Sequence, residues 1–144
     1  MRVEQIYTKC LAEAAYYIES NGEAVVIDPL RETAPYLERS KQGNAKIKYV
    51  LETHFHADFV SGHLDLAKKT GAQIVFGPTA TAAFDFKSAR DGEFLTFFKS
   101  VENTMDLQIN KTSAYNINLL TSGKMTNIKV NGGGDGTINI TQSD

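Results

Sequence analysis

Long apolar stretches are missing from this chain of 144 residues. Its apolar runs last only a few residues, and a helix that crosses a bilayer needs roughly 20, so no membrane span is expected. A dominant charge is missing as well. The formal net charge of −2 leaves no basic footprint for nucleic acid or an anionic membrane surface. The first residues, MRVEQIYTKC, are charged and polar where a secretion signal would be apolar, which predicts no export signal and a cytoplasmic location. The single cysteine, Cys10, permits no internal disulfide and suits a reducing compartment. It is expected to be a small packed residue. Histidine is confined to His54, His56 and His63, and no proline follows Pro78. The remaining composition, 42% hydrophobic and 22% charged, is that of one globular domain long enough to bury a core.

Strand and helix signals alternate along the first two thirds. VEQIYT and AAYYIES are short β-rich runs, and Asn21-Gly22 is a hairpin signal leading into EAVVIDP. Ala24 to Ile27 form a continuous apolar run, expected to be a buried strand that ends at Asp28-Pro29. APYLERSKQG reads as a helix, with Pro35 near its start and Gly43 beyond its end. KIKYVLETH is a strand that delivers the chain to His54, and GHLDLAKKTG is a helix stopped by Gly71. AQIVFGP is a further strand, and TATAAF a short helix. Such alternation predicts an α/β layered domain.

Beyond Phe97 the pattern changes. Helical spacing gives way to period-2 alternation at Leu107 and Ile109, at Tyr115, Ile117 and Leu119, at Ile128 and Val130, and at Ile138 and Ile140. Antiparallel hairpins are expected there, or a stretch that packs poorly. NGGGDG at 131–136 reads as a turn, because a phosphate-cradling loop would lead into a helix and TINITQ is strand-like.

The histidines raise the chemical question. ETHFHADFVSGH places His54, His56 and Asp58 at two-residue steps directly after a strand. Neutral imidazoles suit zinc and iron, a carboxylate adds a hard oxygen, and the carboxyl end of a strand is where open α/β sheets place ligands. His54, His56 and Asp58 are therefore the candidate metal ligands.

THFHADFVSGH, preceded by AAYYIESNGEAVVIDP, resembles the metallo-β-lactamase superfamily, within it the branch of glyoxalase II and the persulfide dioxygenases, including rhodanese-fused members. The likeness covers about residues 1–95. It implies an αβ/βα sandwich, α/β (α+β) in class, of which this chain carries the N-terminal half and a reduced β-rich remainder. A single domain over 1–144 is expected, family-like at 1–96 and divergent at 97–144. By the resemblance, His54 is a metal ligand in both branches. His56 is a ligand in the dinuclear hydrolases and lies beside the iron in the dioxygenases. Asp58 is a ligand of a second metal or a supporting group and is also the candidate catalytic residue, and Asp28 supports the motif loop from below. The implied cofactor is mononuclear iron or zinc, and the implied substrate a small molecule, glutathione persulfide or a thioester.

Two departures qualify that pattern. Phe59 stands where the family usually has another histidine, and it has no lone pair to give, which favours a mononuclear site. His63 is a candidate supporting residue, expected to cap or pack at a helix start. The family's downstream T-P-G-H-T-like turn is absent, since no proline follows Pro78 and no histidine follows His63. Three readings follow: a persulfide dioxygenase-like or thioester hydrolase-like enzyme with an incomplete site, a truncated or frame-shifted non-catalytic member altered near Phe97, and a metal-binding or interaction module. Unpaired strand edges predict self-association in each.

Overall fold

The computed structural model describes residues 1–99, 104–111, 115–122, 128–129 and 138–143, with side chains through residue 96. Strands β1 (Arg2–Thr8) and β2 (Glu13–Ser20) pair antiparallel across a tight turn in which Ala12 has φ 51°. Cys10 lies exposed in that turn. It is not the packed residue expected, because the chain reverses direction there and its side chain has no core to enter. Strand β3 (Glu23–Ile27) returns along β2 through Asn21 (φ 43°) and Gly22 (φ 80°). Two left-handed residues give this hairpin turn a twist that matches its strands.

Helix α1 (Ala34–Gly43) begins with Pro35 in its first turn. Gly43, expected beyond the end, is its last residue. Asn44 takes the left-handed stop at φ 48° instead, a conformation its short polar side chain tolerates. Strand β4 (Lys46–Leu51) lies parallel to β3, and helix α2 (His63–Thr70) ends at Gly71 with φ 73°. Strands β5 (Gln73–Phe76) and β6 (Lys87–Ser88) add in parallel. TATAAF forms no helix. One helical turn without neighbours to pack on does not repay its nucleation, and the end of this segment instead brings Phe84 against Phe76, with ring centroids 6.1 Å apart.

The period-2 segments are strands. Strands β7 (Phe94–Lys99), β8 (Thr104–Lys111) and β9 (Tyr115–Ser122) run antiparallel. The all-antiparallel expectation fails at the last two. Strand β10 (Ile128–Lys129) joins β1 in parallel, and β11 (Ile138–Ser143) joins β9 in parallel. The chain visits the first sheet between β9 and β11, so it re-enters the second sheet in the same direction. Val130 and the NGGGDG segment lie outside the described residues.

The result is a seven-stranded mixed sheet, order β10-β1-β2-β3-β4-β5-β6, and a four-stranded sheet, order β11-β9-β8-β7. Alternate residues of the first sheet face opposite layers. One face buries Ala15, Tyr17, Val26 and Val50 with Tyr36 of α1 and Leu66 of α2. The other buries Ile18, Val25, Ile27 and Leu51 with Leu95 of β7. Each fully buried large side chain contributes about 1.5–3 kcal/mol. Helices on one face and a sheet on the other meet the α/β expectation. Among the described residues, no helix is long and apolar enough to cross a membrane.

Candidate metal centre

Parallel pairing of β3 with β4 sets Ile27 beside Leu51, so the next residues, Asp28 and Glu52, leave the sheet side by side. Asp28 occupies the left-handed region at φ 49°, a strained conformation for a residue with a side chain. It is held there by its own N–H, which donates to Leu51 O at 2.9 Å. Its carboxylate accepts two hydrogen bonds from Thr53, from the backbone N–H to Oδ1 (2.7 Å) and from Oγ1 to Oδ2 (2.6 Å).

That second bond decides the state of His54. The only proton on Thr53 Oγ1 goes to Asp28, so His54 Nδ1, 2.9 Å from Oγ1, must be the donor in their contact. His54 Nε2 then keeps its lone pair, on an exposed ring.

His56 turns the other way. Its side chain is 7% exposed, with Nε2 3.1 Å from Asp28 Oδ1 and 3.6 Å from Glu52 Oε2. Nε2 is buried and meets the two carboxylates as an ion-pair contact. Its other nitrogen, Nδ1, is 4.0 Å from Asp58 Oδ1. Burial alone would lower the His56 pKa, but the facing carboxylates, Asp28 first, raise it above its ordinary value. The His54 and Phe59 rings flank it, with centroids at 4.1 Å and 4.2 Å.

Glu52 is held by Ser61 Oγ, which donates to Oε1 at 2.5 Å, and by His63 Nδ1 at 3.3 Å from the same oxygen. Burial raises its pKa above the usual carboxylate range. The loop closes because Gly62 N donates to Pro29 O at 2.8 Å. A Cβ on Gly62 would run into Leu30 O, so any other residue would force these two segments apart.

The candidate residues are thus divided. Asp28 and His56 meet in the cluster and His63 reaches it through Glu52. His54 and Asp58 lie on its exposed side, Asp58 with 62% of its side chain exposed. Asp28, Glu52 and His56 offer donor atoms that all lie within 4.8 Å of one another. Two carboxylate oxygens and an imidazole nitrogen are donor types that suit a divalent metal ion.

Sequence reasoning missed Glu52 and Glu13. Glu13 is 7% exposed with both carboxylate oxygens unpartnered. Burial, then the nearby Asp28, pushes its pKa up to about 7. Both had a signal, a lone acid inside or ending an inner strand, in LAEAAYY and in YVLET.

The family model of the metallo-beta-lactamase superfamily matches residues 8–101. A hydroxyacylglutathione hydrolase of Tolumonas auensis is 32% identical over 84 residues, 57% of this chain and 32% of that protein. A metal-dependent hydrolase of Staphylococcus aureus is 27% identical over 97 residues, 67% of this chain and 37% of that protein. The crystal structure of ETHE1 from Myxococcus xanthus superposes with a TM-score of 0.69 at 22% identity, covering 85% of this chain and 57% of that one. This chain therefore spans about a third of the length of the curated relatives it matches.

Proposed function

This chain belongs to the metallo-beta-lactamase superfamily, and from that premise we propose that it is the metal-binding part of a metal-dependent enzyme acting on a small glutathione-linked thioester or persulfide. The ligands in this reading are His54 through Nε2, His56 through Nδ1 and the Asp58 carboxylate, with Asp28 and His63 in support. Bound metal supplies a Lewis acid that lowers the pKa of a water to about 7 in the zinc version, or an iron centre for oxygen chemistry in the other.

The observation that carries the proposal is the relay from Asp28 through Thr53 to His54. A carboxylate acting behind a histidine fixes its tautomer and aims its lone pair, as metal-binding imidazoles require. Phe59 against His56 supports a single metal, because it closes the side where another imidazole would bring a second ion. The similarity to a hydroxyacylglutathione hydrolase supports the thioester substrate, and the likeness to ETHE1 supports the fold on which either chemistry would run.

A second reading, a metal-binding member without catalysis, is favoured by the lack of any histidine after His63. Metal content separates the outcomes. The purified chain should hold about one equivalent of zinc or iron, lost in a His54→Ala, His56→Ala double variant. Thioester hydrolysis in a zinc-loaded sample, or oxygen uptake with glutathione persulfide in an iron-loaded one, would establish the enzyme. Bound metal with neither activity would establish the second reading, and no metal above the variant's level would defeat both.

A further inference from the structure

We propose that Ser61 is a positioning residue for the motif loop: its hydroxyl fixes the Glu52 carboxylate, which in turn holds the His56 ring with Nδ1 outward. This inference rests on the ligand set proposed above, in which His56 binds the metal through Nδ1.

The loop begins and ends against the same segment, residues 28–30. Thr53 bonds to Asp28 at its start. At its end Ser61 forms a bridge with Leu30, and Gly62 N donates to Pro29 O at 2.8 Å. These last contacts are made by the backbone, so closing the loop does not need the Ser61 hydroxyl. Ser61 Oγ lies 2.5 Å from Glu52 Oε1 and 3.0 Å from Pro29 O. A hydroxyl has one proton to give. Pro29 O already accepts from Gly62, and a carboxylate oxygen is the closer and stronger acceptor, so the proton goes to Glu52. The His63 N–H, 3.3 Å from Oγ, donates to Ser61 in return. Ser61 thus joins the start of α2 to the residue that opens the loop.

Glu52 passes that constraint on to His56. Its N–H donates to Val75 O of β5 at 3.0 Å, and its side chain is 1% exposed. Oε1 is taken by Ser61 and by His63 Nδ1 at 3.3 Å, which leaves Oε2 facing His56 Nε2 at 3.6 Å. A proton on Nε2, turned toward Glu52 and Asp28, leaves the lone pair on Nδ1. Nδ1 lies on the side of Asp58, at 4.0 Å. Without the Ser61 hydroxyl, Oε1 keeps only the longer His63 contact, and burial leaves no solvent to replace the lost donor. The carboxylate is then free to turn, and the His56 ring loses one of the two groups that fix its direction.

The test reads the ring and the ion separately. With three histidines in the chain, the imidazole NMR signals of the metal-free protein report His56 directly, and Co²⁺ absorption reports the geometry around a bound ion. Ser61→Ala should move or double the His56 ring signals, weaken Co²⁺ in equilibrium dialysis by about tenfold, and alter the cobalt bands. Ser61→Thr, which keeps a hydroxyl, should restore all three. Circular dichroism checks folding, and Glu52→Gln, a weaker acceptor of similar shape, decides where Ser61→Ala does not fold. A lowered urea midpoint with unmoved ring signals and unmoved bands would overturn the proposal, leaving Ser61 a merely structural residue. Effects that Ser61→Thr did not reverse would overturn it as well. If the parent binds no cobalt, the metal reading fails, and the ring signals still decide the hold of Ser61 on His56: displaced in Ser61→Ala, it stands; unchanged, it falls.

Discussion

Two groups of partly buried charge lie on the same sheet and behave oppositely. On the strand surface under α1, Glu4 is clamped by Arg2 (2.7 Å) and Arg39 (2.7 Å), while Arg2 also approaches Glu19, whose carboxylate accepts from Tyr17. Burial would raise the Glu4 pKa, but the two guanidiniums lower it overall. At the carboxyl end of β3 and β4, Glu13 and Glu52 are pushed upward by burial with no arginine to offset it. The first group is satisfied and joins β1 to α1. The second is short of positive charge and holds unpartnered atoms. Perturbation of this kind, joined to a strained Asp28, is what sites of chemistry or binding retain at a cost in stability.

The comparison breaks most severely at Asp28. Asp28→Ala removes both acceptors of Thr53 and the carboxylate that faces His56 Nε2. It should destabilise the chain by about 3 kcal/mol and abolish metal binding, read by urea denaturation and dialysis. Asp28→Asn, close in shape, should fold better yet still bind poorly. Normal metal binding by Asp28→Ala would refute the role given to this carboxylate.

Gly62→Ala tests the same end without altering a charge. Its Cβ would meet Leu30 O, and forcing the loop away from residues 29–31 should cost about 1–3 kcal/mol. An unchanged urea midpoint would show that the two segments need not approach so closely.

Glu4→Gln sharpens the contrast from the satisfied side. It should cost about 1 kcal/mol near pH 7 and leave metal binding untouched. Because the folded pKa of Glu4 is lowered from 4.5, its contribution is present above that value and fades as the pH falls through the lowered one. Urea midpoints of parent and variant should therefore converge as the pH falls below the ordinary carboxylate range. A gap that widened in acid would contradict the assignment.

Most of the architecture was legible in the sequence because neighbouring residues set it. Asn21-Gly22 specified the hairpin turn, Pro35 the start of α1, and Gly71 the end of α2. The misreadings occurred where distant packing decides. TATAAF has tolerable local helix signals, yet the chain there serves to deliver Phe84 to Phe76 and His63. The directions of β10 and β11 depend on which sheet the chain has just left, which no local pattern records.

The site divides along the same line. By itself the sequence determined that a histidine-rich loop follows a buried strand, and that Phe59 stands beside it without a lone pair to offer. Those facts need only adjacency along the chain. The tertiary structure alone decided that Asp28 and Glu52 meet at His56, with Glu13 buried at the same end of the sheet, and that Thr53 contacts His54 on the exposed side. Strand pairing across long sequence separations creates that meeting, and the same burial that assembles these carboxyls removes the water that would otherwise have satisfied them.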